Sequence, residues 1–197
     1  MLVMEERRPQ PVHRGDEVAR APGDLELIRG FVALHDHAVA DAAALEPIPS
    51  TLDWWLREEG LIPAGGGSVE EDLVWGLGIR DALVTKVLEN MGGPVDPEAM
   101  LRLNTAAVET GLRPRFDTRC LDPTADGVRG AIGRILGIVF LAELDGSWHR
   151  FRMCADPTCT TVFYDRSKNH SAKWCSMQNC GNRNKVRAFR ERRASAT

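Results

Sequence analysis

At 197 residues and 21.8 kDa, the chain has room for one ordinary domain, or for a mid-sized domain carrying a small extra module. Hydrophobic residues at 43% and charged residues at 27% predict a packed core and exclude an intrinsically disordered chain. A formal net charge of −3 excludes a general nucleic-acid coat, but the charge is unevenly spread. Residues 146–197 hold 11 Lys and Arg against 3 Asp and Glu; the chain totals of 25 and 28 leave 14 against 25 before them. An acidic body with a basic tail is the asymmetry of a polyanion-binding module, or of a solvated charged helix.

The segment 1–23 has three prolines and no apolar period, so a flexible tail is expected there. Met1–Met4 give way at once to Glu5, Glu6, Arg7 and Arg8, the reverse of a secretory signal, and a cytoplasmic location is expected. Asp24 is positioned to cap a helix running to about Leu45 through Leu27, Ile28, Phe31, Val32 and Leu34. Ser50 and Thr51 open a short helix through Trp54, Trp55 and Leu56, with Gly60 past its end. After the connector Pro63–Gly67, Ser68 and Glu71 have the spacing of a capping box, and the helix behind them stops at Gly92-Gly93.

Asp96 before Pro97 starts another helix, ending near Gly111. A short strand is expected over 112–116 and a turn at Asp122-Pro123. The most apolar helix, about 124–144, carries Gly130, Gly133 and Gly137 along one side, which predicts close helix–helix packing. The longest apolar stretch, 132–144, is broken by Gly133, Arg134 and Gly137 and falls short of the ~18–20 residues of a membrane span. Residues 24–145 thus read as an acidic all-α domain, expected to be stable by itself and not to bind nucleic acid.

Five cysteines in a reducing compartment point to metal before disulfides. Four of them, Cys154, Cys159, Cys175 and Cys180, form the pattern C-x4-C-x15-C-x4-C. Two close pairs with a hairpin-sized spacer supply the tetrahedral thiolates of one structural zinc, and four thiolates leave no open position for catalysis. His170 lies between the pairs as an alternative ligand, although the symmetric spacing favours cysteine throughout. On a regular helix Cys175 and Cys180 would lie about 140° apart, so Cys175 belongs in a turn and Cys180 near the start of the following helix. With a strand at Thr161–Tyr164 and a turn at Lys168–His170, the order knuckle, hairpin, helix describes a treble-clef-like finger over 146–197. Cys120 stands apart and reads as a small buried hydrophobe.

The run from Cys154 through Cys159 to Phe163-Tyr164-Asp165, then Trp174-Cys175-Ser176-Met177 and Cys180-Gly181-Asn182-Arg183, resembles the CGNR zinc finger over about 150–193. In that family a helical domain called ABATE precedes the finger, and Asp24–Ala42 with Leu103-Asn104 resemble parts of it. The resemblance implies a bacterial stress-related transcription regulator, or an RNA-binding zinc-ribbon-like protein. The fold expected is mainly α, an all-α helical domain followed by a β-hairpin-plus-helix finger.

The last helix carries Arg183, Lys185, Arg187, Arg190, Arg192 and Arg193 as candidate nucleic-acid contacts, while Val186 and Phe189 are expected to face the finger's core. Asn182 and Arg183 suit either base edges or hydrogen bonds to the thiolates and Asp165, the latter weighing more because they abut a ligand. The leading reading is a zinc-containing nucleic-acid-binding regulator, DNA ahead of RNA, whose helical domain senses a ligand or dimerises. Its rival is a finger that docks an acidic protein. An enzyme comes third: among His35, Asp36, His37 and Asp41, residues two apart point to different helix faces and an exposed polar stripe is the reading preferred, and no P-loop, nucleophile elbow or dinucleotide fingerprint is present.

Overall fold

The computed structural model describes residues 18–34, 49–65, 67–159 and 161–194. Among the described residues six helices and two short hairpins follow one another: α1 (Leu25–Val32), α2 (Pro49–Glu58), α3 (Glu70–Glu89), α4 (Pro97–Glu109), β1 (Arg113–Arg115), β2 (Cys120–Asp122), α5 (Gly127–Leu144), a 3₁₀ turn (Ser147–Arg150), β3 (Phe151–Met153), β4 (Val162–Tyr164), a π turn (Met177–Gly181) and α6 (Asn182–Ala194). The chain is mainly α, with a small hairpin and helix beside the cysteines. No helix among the described residues is long and apolar enough to cross a membrane.

Several helix ends differ from the expectation, each for a local reason. Asp24 makes no side-chain cap on α1; instead Glu26 Oε2 accepts the Ala21 N–H at 2.7 Å, and the same carboxylate holds Arg29. The helix ends at Val32, well before Leu45, and the Val32 carbonyl accepts from the buried guanidinium of Arg80 at 3.2 Å. His35, Asp36, His37 and Asp41 lie outside the described residues. Ser68 forms no capping box, because its hydroxyl is engaged by Asp53 and lies 3.3 Å from Arg57; Val69 occupies the cap position of α3. Asp96 does cap α4, accepting from the Glu98 and Ala99 amides at 2.9 and 3.2 Å with Pro97 in the first turn.

α5 runs through the middle of the helical core, burying Val128, Ile132, Ile135, Leu136 and Val139. Its glycines admit one helix end and, beside it, a strand and a loop. A Cβ at Gly137 would sit 2.6 Å from the Leu121 carbonyl, and one at Gly133 would sit 2.8 Å from both Pro123 and Thr110. The bare face of α5 therefore receives β2, the loop after it and the end of α4. β2 was not anticipated as a strand; it pairs antiparallel with β1, Arg113 opposite Asp122. Cys120 is half-buried in β2, its thiol donating to Asp122 at 3.2 Å.

The second hairpin completes the core. β3 and β4 pair antiparallel with Phe151 opposite Tyr164 and Met153 opposite Val162. Phe151, Val162 and Tyr164 belong to the same apolar cluster as α1, α2, α3 and α5. Trp148, Phe151 and Tyr164 pack ring to ring in sequence, centroids 5.2 Å apart at each step, the first pair tilted by 41° and the second edge-to-face at 77°. The Asn90 amide at the end of α3 donates to the Trp148 and Phe151 carbonyls at 2.9 and 3.0 Å, pinning the hairpin to that helix.

Replacing Phe151 by alanine removes a fully buried ring from this junction. It should cost about 3–5 kcal/mol in denaturant unfolding followed by the helical signal. Phe116→Ala, at a residue 92% exposed, should change stability by less than about 0.5 kcal/mol.

Candidate metal centre

The two strands bring the first cysteine pair together. β3 leads into Cys154, the chain reverses, and Cys159 leads back into β4, with the Cys154 N–H donating to the Thr161 carbonyl at 2.9 Å. The hairpin thus encloses the cysteine knuckle, whereas the sequence suggested a hairpin after it. Lys168–His170 does turn, but no described strand follows it. Inside the knuckle Asp156 is fully buried; its Oδ1 accepts from the Thr158 amide at 3.0 Å and the Thr158 hydroxyl at 2.8 Å.

The second pair comes from a bend and a wide turn. Cys175 lies in a bend, and Cys180 lies in the π turn from which α6 emerges. The Gly181 N–H donates to the Ser176 carbonyl at 3.0 Å, an i→i+5 closure of the same length as the step from Cys175 to Cys180. Cys175 lies before that turn, with Ser176 in extended backbone, so the two thiols escape the divergence a regular helix would impose.

All four cysteines are buried and their sulfurs lie within 4.8 Å of one another. Two thiolates each about 2.3 Å from one zinc at the tetrahedral angle are about 3.8 Å apart. The Cys159–Cys175 and Cys175–Cys180 sulfur separations are both 3.7 Å, so the four residues fit a single structural zinc. Without a cation four crowded thiols cannot all ionise. Hydrogen bonds from Cys154 and Cys175 pull the Cys159 pKa far down, while the bonds to Cys154 and Cys159 push Cys175 up, and burial pushes Cys180 up to about 12. A divalent cation resolves that conflict by stabilising every thiolate. His170 is exposed with φ +49°, outside the sulfur cluster; its carbonyl accepts from Arg152 at 3.1 Å and its N–H donates to the Ser167 carbonyl at 3.4 Å.

The residues beside the cysteines divide differently from the expectation. Arg183 Nε donates to Asp156 at 2.7 Å, and its terminal nitrogen lies 3.3 Å from Cys180 Sγ. Burial opposes ionisation of Asp156, yet the bonds from Thr158 and Arg183 outweigh it and hold the carboxyl below its ordinary range. Asp165 does not meet Arg183; its oxygens accept from the Ser167 and Ala172 amides at 2.8 and 3.0 Å, shaping the loop toward Cys175. Asn182 is exposed, and Asn184 instead donates to the Cys180 carbonyl at 2.8 Å. Asp156 escaped the sequence reading, although Asp-Pro-Thr between two cysteines signals a side chain closing its own turn. Val18, in the stretch expected to be a flexible tail, is buried against the cysteines.

Lys185, Arg190, Arg192 and Arg193 are exposed on α6, and Arg187 approaches Asp156 at 3.9 Å. None of the α6 residues is buried. Val186 and Phe189, expected in the finger's core, are 49% and 54% exposed, because α6 packs chiefly on the turn before it and extends past the finger.

Metal analysis of purified protein should give one zinc per chain, and Cys175→Ser should abolish stable retention. Arg183→Ala should lower zinc affinity by about 10- to 100-fold in a chelator competition, since a partner of both Asp156 and the Cys180 thiolate is lost.

No curated protein matches the chain. Residues 150–193, spanning the hairpin, all four cysteines and nearly all of α6, match the family model of the CGNR zinc finger, so the chain carries a zinc-binding module of that family.

Proposed function

We propose that this protein is a nucleic-acid-binding transcription regulator, in which zinc holds the finger together and the cations of α6 contact phosphates. The observation that carries this reading is the state of α6. Six Lys and Arg lie between residues 182 and 194 against Glu191 alone, and no residue of the helix is buried. A structural cation cluster would be paired, and one such role is visible: Arg183 and Arg187 face Asp156. Lys185, Arg190 and Arg192 stand exposed beyond that reach, where counterion release on phosphate binding supplies affinity.

In this reading DNA is the target, and the helical part, poor in basic residues, repels phosphate and is left to sense a ligand or to dimerise. No catalytic role is proposed, because a closed four-thiolate site offers no position for substrate or water.

The test is a mobility-shift titration of zinc-loaded protein against DNA over a range of salt. Binding should weaken steeply with salt, and log affinity against log salt should become shallower by about one for each phosphate contact removed in Arg190→Ala and Arg192→Ala. Both variants should keep their zinc. Binding that ignores salt, or that survives both substitutions at low salt, would transfer the finger to protein docking.

A further inference from the structure

We propose that the Val186–Phe189 face of α6 is a stacking platform for an unpaired nucleic-acid strand, so that the preferred target is single-stranded. This rests on the nucleic-acid reading and adds to it the form of the target.

Successive residues of an α-helix are turned by about 100°. On that wheel Asn182, Val186, Phe189 and Arg193 fall within about 60° of one another. Lys185 and Arg192 flank this strip on one side and Arg190 on the other. The single acid, Glu191, falls about 140–160° away from Val186 and Phe189. Arg183 and Arg187 turn toward Asp156, with Arg183 Nε 2.7 Å from its carboxylate. The helix therefore separates its work: one side ties it to the zinc module, and another presents two apolar side chains framed by cations.

Phe189 is 54% exposed and Val186 49% exposed, and the Arg193 guanidinium lies 5.9 Å from the Phe189 ring centroid. Large apolar groups are left in water at a cost, and here they lie where Lys and Arg would repel a basic partner and attract a polyanion. Of the polyanions, a duplex has its base faces already stacked and offers this strip only hydrated sugar and phosphate. An unpaired strand offers base faces, each able to stack on an aromatic ring whatever its identity, while its phosphates meet cations within one helical turn. A phenyl ring framed by arginines fits that second chemistry. An acidic protein surface is the competing occupant, and the experiment separates the two.

Fluorescence anisotropy would be measured with full-length, zinc-loaded protein, a labelled twelve-nucleotide oligothymidine, and a duplex of the same length. The single strand should bind more tightly than the duplex. Phe189→Ala should lose about 5- to 150-fold in affinity for the single strand while the slope of log affinity against log salt stays unchanged. Phe189→Trp should restore binding, which a merely structural role would not predict. Arg190→Ala should do the opposite, flattening the slope. Zinc content and circular dichroism should match wild type in each variant, since the side chains are exposed. The proposal is overturned if the duplex binds as tightly as the single strand, or if Phe189→Ala keeps its affinity; the nucleic-acid reading survives either result. Failure of the wild type to bind both probes at low salt defeats that reading and this inference together, leaving the acidic-protein occupant.

Discussion

Strands alternate their side chains between two faces, and in the β3–β4 hairpin both faces are put to use. Phe151, Val162 and Tyr164 belong to the apolar core shared with the helices, whereas Phe163, between two of them, packs with the four cysteines. Six strand residues thus form a wall with a hydrocarbon core on one side and a sulfur cluster on the other. Register is tightly specified in such a wall, because a slip by one residue would exchange the two sets of side chains. Asn90 fixes the wall to α3 through the Trp148 and Phe151 carbonyls, and the backbone bond from Cys154 to Thr161 holds the pairing up to the first ligand.

From that wall the metal site follows in two steps. The hairpin presents Cys154 and Cys159 from its connecting knuckle, and the loop shaped by Asp165 returns the chain for Cys175 and Cys180. The π turn then brings the second pair into register and launches α6. Since α6 has no buried apolar seam of its own, its direction depends on the turn at its base and on the Arg183–Asp156 bond. A cationic helix held in this way keeps Lys185, Arg190 and Arg192 exposed, and its aim is set by the turn that carries Cys180.

Features governed by short-range chemistry were legible in the chain. The Asp96-Pro97 cap, the glycine stops of α2 and α3, and the paired cysteines are local patterns with one dominant outcome. Features decided by distant partners were not. Ser68 has the right spacing for a cap but lies close enough to Asp53 to be claimed by it, and Val186 and Phe189 have helical spacing with nothing beneath them. The glycines of α5 announced a close approach, but only the fold revealed that the approaching groups are a strand carbonyl, the loop after it and the end of α4. The cysteine spacing identified the ligands and excluded a regular helix between the last two, while leaving the form of the wide turn to the structure. Asp156 was within reach of the same local reasoning that found Asp96.

The two-faced hairpin also bears on how far the zinc module can be treated as a portable unit. Transplanted onto another protein with its own sequence intact, the finger would carry Trp148, Phe151, Val162 and Tyr164 without the helices that cover them. It would arrive with a sticky aromatic flank, and insolubility would be a property of the graft, not of the metal chemistry. A soluble transplant needs either polar residues on that flank or a recipient that brings a matching surface. Shuffling of this finger between proteins is thereby tied to the company of α1, α3 and α5.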